Sequence, residues 1–161
     1  MLTLLFIAPP KTSVPPVLSV LRRLGARDTV LGQFKTAWDA DPESSLIPVY
    51  YWDQKRNRPA DDLEPFVRIN MVHATGFQAS LARDTGTIIY GREGIIQIQI
   101  FTPLGKGLTQ ADSLAKVAAD AFEGQNNGDI WFRNVRINEI GPDGDRFQTN
   151  VLIDFTYDEI K

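Results

Sequence analysis

The sequence has no cysteine, a single histidine and only two methionines in 161 residues. Without cysteine there are no disulfides, no zinc ribbon and no thiol nucleophile, and the redox compartment stays open. One histidine, His73, leaves no serine with an evident His/Asp partner, so a triad has no support. Metal sites need clustered His, Cys or carboxylate ligands, and none is apparent. A large excess of one charge is also missing. The net charge is −3, which gives no global reason to grip nucleic acid. No apolar run approaches the roughly 20 residues of a membrane helix. The opening MLTLLFIAPP imitates a secretion signal, but its apolar run is short, no basic residue precedes it and no small-x-small site follows. The expectation is an intracellular protein that does not enter a membrane.

What remains is ordinary globular composition, with 43% hydrophobic and 23% charged residues. The length suggests one domain with a real core. Pro9, Pro10, Pro15 and Pro16 hold residues 1–16 to an extended arm. That arm is either genuine or an over-extended start. VLSVLRRLGA reads as a short helix stopped by Gly25. Residues 1–28 are thus an arm and short helix, and 29–161 a single domain. DTVLGQFKTAWDADP reads as a second helix, capped by Asp28 or Thr29 and ended by Pro42, with Val30, Phe34, Ala37 and Trp38 as its buried stripe.

Strands dominate from there. Ile47–Trp52 is a short one. In PFVRINMVHA, Val67, Ile69 and Met71 face one way and Arg68 and Asn70 the other. SLARDTGTIIYGREG fits a hairpin or a long loop. Ile96, Ile98 and Ile100 alternate with Gln97 and Gln99. Asp129–Ile140 has an imperfect period, which predicts a bulge. GPDGD is a turn, and it lacks the remaining positions of a calcium loop. The closing strand turns Phe147, Val151, Ile153, Phe155 and Tyr157 inward, with Gln148, Asn150, Asp154 and Asp158 on its other face. The order is α+β: an antiparallel or mixed sheet with helices packed on one face.

FTPLGKGLTQADSLA poses the one question of chemistry. A phosphate loop requires G-x-x-x-x-G-K-[ST]. Ile100 stands where the first glycine belongs and Gly107 where the Ser/Thr belongs. The stretch reads instead as a connector. Pro103 ends a strand, Gly105 and Gly107 turn the chain, and Thr109 caps a helix running through Glu123. His73 shares a strand face with Met71 and reads as structural, its catalytic alternative being a small enzyme or ligand-binding domain. The basic loop Lys55, Arg56 and Arg58 is offset by Asp61, Asp62 and Glu64, and no aromatic is interleaved to stack on bases. With Gln97 and Gln99, these cations are candidate subunit or partner contacts. Asp154, Asp158 and Glu159 form an acidic strand end, either a solvated face or, in a ring, a lumen lining. No cofactor is expected.

FKTAWDA, IPVYYWDQ, EPFVRINMVHA, GIIQIQIFTPLGKGLTQADSLAKVAADAFEG and FQTNVLIDFTYDE, in this order, resemble the tail terminator family of long-tailed phages, the minor tail protein U type. The resemblance spans roughly Thr29 to Glu159, and the arm before it is a departure. It implies a non-enzymatic virion protein at the head-proximal end of the tail, made in the host cytoplasm. Such a protein forms a ring, usually a homo-hexamer, that ends growth of the tail tube. It would contact the tail tube protein and the head–tail connector or stopper, with DNA passing through its lumen without specific binding. Another neck or completion protein is the nearest alternative.

Overall fold

A computed structural model describes residues 23–52, 64–80 and 88–160. Its elements run α1 (Arg23–Ala40), a single 3-10 turn (Ser44–Leu46), β1 (Val49–Tyr51), β2 (Phe66–Gln78), β3 (Ile89–Pro103), α2 (Thr109–Asp120), β4 (Asn126–Asn127), β5 (Ile130–Asp143) and β6 (Arg146–Ile160). The strands form one mixed sheet in the order β1-β2-β3-β6-β5-β4. Only β1 and β2 are parallel, and the other pairs are antiparallel. This is the α+β architecture that the pattern of elements predicts.

Alternation sets the two faces. Val67, Ile69, Met71, Ile96, Ile98, Ile100, Val151, Ile153, Phe155 and Tyr157 are all buried beneath the helices. We call this the covered face. Phe147, also expected inward, is only half-buried. The register places Gln97, Gln99, Asn70, Arg68, Leu152 and Asn150 together on the opposite, open face. β3 and β6 pair without interruption from Ile89–Ile160 to Pro103–Arg146. Both flanking ladders contain bulges, at His73/Thr75 in β2 and at Arg133/Arg136 and Glu139/Gly141 in β5.

α1 corrects the expectation of two helices. It runs straight through Gly25, which is exposed, with open space around it. The buried stripe begins at Ala26 and continues through Val30, Phe34 and Trp38 at a spacing of four. Anchoring Ala26 in the core outweighs the ~1 kcal/mol that a helical glycine costs. Residues 17–22 of the expected first helix, like the arm, lie outside the described residues. α1 ends as predicted before Pro42. The Asp41 carboxylate accepts from the Ser44 and Glu43 amides at 2.9 and 3.1 Å. These bonds, led by that of Ser44, hold its pKa below the ordinary value. Trp38 Nε1 then donates to the Ile47 carbonyl, fixing the entry to β1.

α2 differs at both ends. Thr109 is its first residue rather than its cap; Leu108 takes the cap position and makes no side-chain bond. At the far end the Phe122 amide bonds to the Ala119 carbonyl, a tight 3-10 closure, and Gly124 reverses the chain at φ +68°. The helix therefore stops at Asp120, short of Glu123. Phe122 stacks on Phe34 at 6.5 Å and meets Phe132 edge-on at 4.9 Å, which joins α1, α2 and β5.

Candidate assembly surface

The sheet offers one large surface that no described helix covers. Its middle is amide-rich. Gln148 donates to Asn150 at 2.8 Å, and Asn150 lies across from Gln99. Gln99 and Asn150 are nearly buried although they point away from the helices, while Gln97 is half-buried. Arg68 and Asn150 flank Gln99 in the register and shield it. Gln99 Oε1 finds no partner within the described protein.

At one end of this face arginines lie on aromatic rings. Phe66 and Phe101 are cross-strand neighbours and stack at 4.6 Å. The Arg68 guanidinium sits 4.5 Å from the Phe101 centroid, and that of Arg146 sits 4.8 Å from Phe66. Tyr50 closes edge-on against Phe66 at 5.9 Å. Arg146 also donates to the Glu64 carbonyl. A cleft of about 340 Å³ opens here, bounded by the Asp143–Arg146 hairpin. Burial pushes the Arg68 pKa down, and nearby Asp143 opposes this. The other end is apolar and exposed. Phe77 lies over Gly91, and Trp131 stands across a cleft of about 270 Å³. Val72 and Ile95, cross-strand neighbours, are exposed beside it.

The acidic strand end is not one cluster. Asp154 and Asp158 belong to the open face, but Glu159 has the parity of Tyr157 and ion-pairs with Arg92 at 2.7 Å. Asp154 is held by both nitrogens of Arg136, at 2.9 and 3.1 Å, and by Asn134 Nδ2 at 2.9 Å. The Arg136 hydrogen bond, then that of Asn134, lowers the Asp154 pKa, and Asp154 raises that of Arg136. Asn134 reaches this carboxylate from within the β5 bulge, at φ +51°. Asp158 is exposed. Lys55, Arg56 and Arg58 lie outside the described residues.

His73 lies on the covered face with Met71. Its Nε2 is 3.0 Å from the Tyr157 hydroxyl, and its ring meets Phe155 edge-on at 5.3 Å. Gly105 and Gly107 both take φ +83°, so the Gly-Lys-Gly stretch is the β3–α2 connector. No group of three or more potential metal ligands occurs among the described residues. No described helix is long and apolar enough to cross a membrane. The arginine–aromatic end escaped the sequence reading. Its members come from β1, β2, β3 and β6, and only the pairing register brings them together.

The model of a family described as phage tail terminator protein matches residues 27–153. No curated protein matches the chain. One solved structure aligns at a TM-score of 0.60 with 15% identity, covering 82% of this chain and 92% of that one, and shows the same fold. A chain from the virion of a native gene transfer agent particle aligns at a TM-score of 0.47, again with 15% identity, covering 82% of this chain and 93% of that one. With the match extending from α1 into β6, the chain belongs to the phage tail terminator family, a family of structural virion proteins and not of enzymes.

Proposed function

We propose that this protein caps the head-proximal end of the phage tail tube as a ring of identical subunits. It ends tube polymerisation and presents a surface to the head-side connector or stopper. The observation that carries this reading is the family match over residues 27–153. The geometry is compatible with it. A closed ring needs two different patches on each subunit, and the sheet has two different edges and two chemically distinct faces. A homo-hexamer is the stoichiometry we propose.

The open face is our candidate for the lumen. Among the described residues its charges balance: Arg68, Arg133, Arg136 and Arg146 stand against Glu93, Asp143, Asp154 and Asp158. Each uncompensated cation facing passing DNA would add a salt-sensitive phosphate contact and slow it. A balanced face avoids that drag. Glu159 is turned away and takes no part. Gln97 and Gln99 lie on this face, so in this arrangement they meet the channel rather than a neighbour. Lys55, Arg56 and Arg58 stay as proposed contacts to the tube or connector.

Electron microscopy of the purified protein, alone and mixed with tail tube protein, tests the reading. Rings, and tubes whose growth stops on addition of the protein, are expected. A strict monomer by light scattering in the presence of tube protein would overturn it. Location elsewhere in the purified particle would assign the protein to another part of the neck.

A further inference from the structure

Both sides of the sheet end in a long strand that a short one only partly covers. β1 pairs β2 at Val67, Arg68 and Ile69, yet β2 continues to Gln78. β4 pairs β5 at Ile130 and Trp131, yet β5 continues to Asp143. Among the described residues no strand lies beside the remaining length of either. The Met71 carbonyl faces outward and is held by Arg27 Nη2 of α1 at 3.1 Å, a single side-chain bond that an incoming strand would displace. Unpaired edges of this length template further pairing, and proteins that do not use them blunt them. These are not blunted by charge alone. Val72 and Phe77 on β2, and Ile137 and Ile140 on β5, are about half exposed.

We propose that β5 of one subunit adds as an antiparallel strand to the open length of β2 in the next copy. The ring is then closed by backbone hydrogen bonds, and the open faces merge into one continuous lining. The inference rests on the ring reading above and deepens it. Direction supports it. β2, β3, β6 and β5 alternate, so β5 runs opposite to β2. Rotation about an axis lying along the strands preserves those directions. β5 therefore meets the neighbour's β2 antiparallel, the more stable pairing.

Position supports it too. β1 blocks β2 at the sheet end that holds Phe66, Phe101 and Gln148, and β4 blocks β5 at the opposite end, level with Tyr157 and Arg92. The two open lengths are offset along the sheet. They meet only with a stagger, which is what closing a sheet into a cylinder requires. Beside the open β2 edge, a cleft of about 740 Å³ between α1 and the sheet, lined in part by Leu31, Tyr51, Ile69 and Met71, leaves room for the incoming side chains. A second copy is the occupant because each subunit carries both edges. Repetition consumes every edge, whereas an unrelated strand would cover one and leave the other.

The chain has no native cysteine, so introduced thiols are the only ones. Val72→Cys is combined in turn with cysteine at Arg136, Ile137, Asn138 and Glu139, between the two β5 bulges. Oxidised rings are resolved by denaturing electrophoresis without reductant. Val72 shares the open face with Arg136 and Asn138. Whichever of those two lies directly opposite Val72 should give a ladder of covalent oligomers, the odd-numbered positions should not, and no single variant should. Ladders at odd-numbered positions alone would overturn the merged faces, because a one-residue slip turns each strand over. Rings that form normally but give no ladder at any position would overturn the edge pairing and leave the ring intact. Absence of rings overturns both readings.

Discussion

Gly94 gives the sharpest test of the sheet's interior. It lies on the covered face of β3, between His73 on β2 and Phe155 on β6. A Cβ there would fall well inside contact distance of the Val72 carbonyl oxygen and 2.5 Å from the Phe155 ring. The first obstacle is backbone and cannot swing aside, and Phe155 is buried. Overpacking costs typically 1–3 kcal/mol. With β3 fixed by ladders on both sides, Gly94→Ala should cost about 3 kcal/mol. For a chain of this length that is a fall in Tm of roughly 6–12 °C. Gly91→Ala is the control. The atoms nearest its Cβ all belong to the Phe77 ring, the first at 2.5 Å, and Phe77 is half exposed and can rotate away. Alanine also lowers the entropy of the unfolded chain by about 0.4–1 kcal/mol, so the net change should be under about 1 kcal/mol. Calorimetry of both variants at one protein concentration, with circular dichroism to confirm the fold, decides the matter. A Gly94→Ala variant melting within about 2 °C of the parent, or the two variants melting together, would refute the reasoning.

Ile98→Asp should fail to fold, since Ile98 is fully buried and its charge would be unpaired, whereas Gln97→Asp, facing the open side, should fold; comparable denaturation curves would put the β3 phase in error. Asp154 has a depressed folded pKa, so its pairing contributes stability above about pH 4 that is lost as pH falls through the folded value. Arg136→Gln should therefore lower stability at neutral pH and flatten the acid limb of the pH–stability curve, and an acid limb identical to the parent's would contradict this. Asp154→Lys with Asp158→Lys should still assemble but should bind DNA in a way that weakens as salt rises; a ring that binds none at low salt would remove these residues from the channel.

The strand phases were legible because period two is imposed locally. Val67, Ile69 and Met71, then Ile96, Ile98 and Ile100 of β3, and the inward residues of β6 from Val151 on follow it, and burial agrees at each. The bulge in β5 was legible as a break in that period. Helix ends were less so. Gly25 signals a stop in any local reading, and only the distant core that receives Ala26 overrules it. Thr109 is a good cap by type, but the chain enters α2 one residue earlier. The candidate surface was least legible. The pairing of Arg136 with Asp154, and the separation of Asp154 from Glu159, follow from register and parity across two strands. The open lengths of β2 and β5 follow from how short β1 and β4 are, and no residue of β2 or β5 announces that.

The uninterrupted β3–β6 ladder, fifteen residues on each strand, has a mechanical meaning. A load applied along these strands is shared by the whole row of hydrogen bonds, which must yield together. A load applied across them peels the row one bond at a time. The bulged ladders on either side lack that continuity, so strain reaching the subunit collects in the flanks while the central pair stays rigid. In the ring proposed above, that division would make each subunit a stiff stave held between two yielding seams.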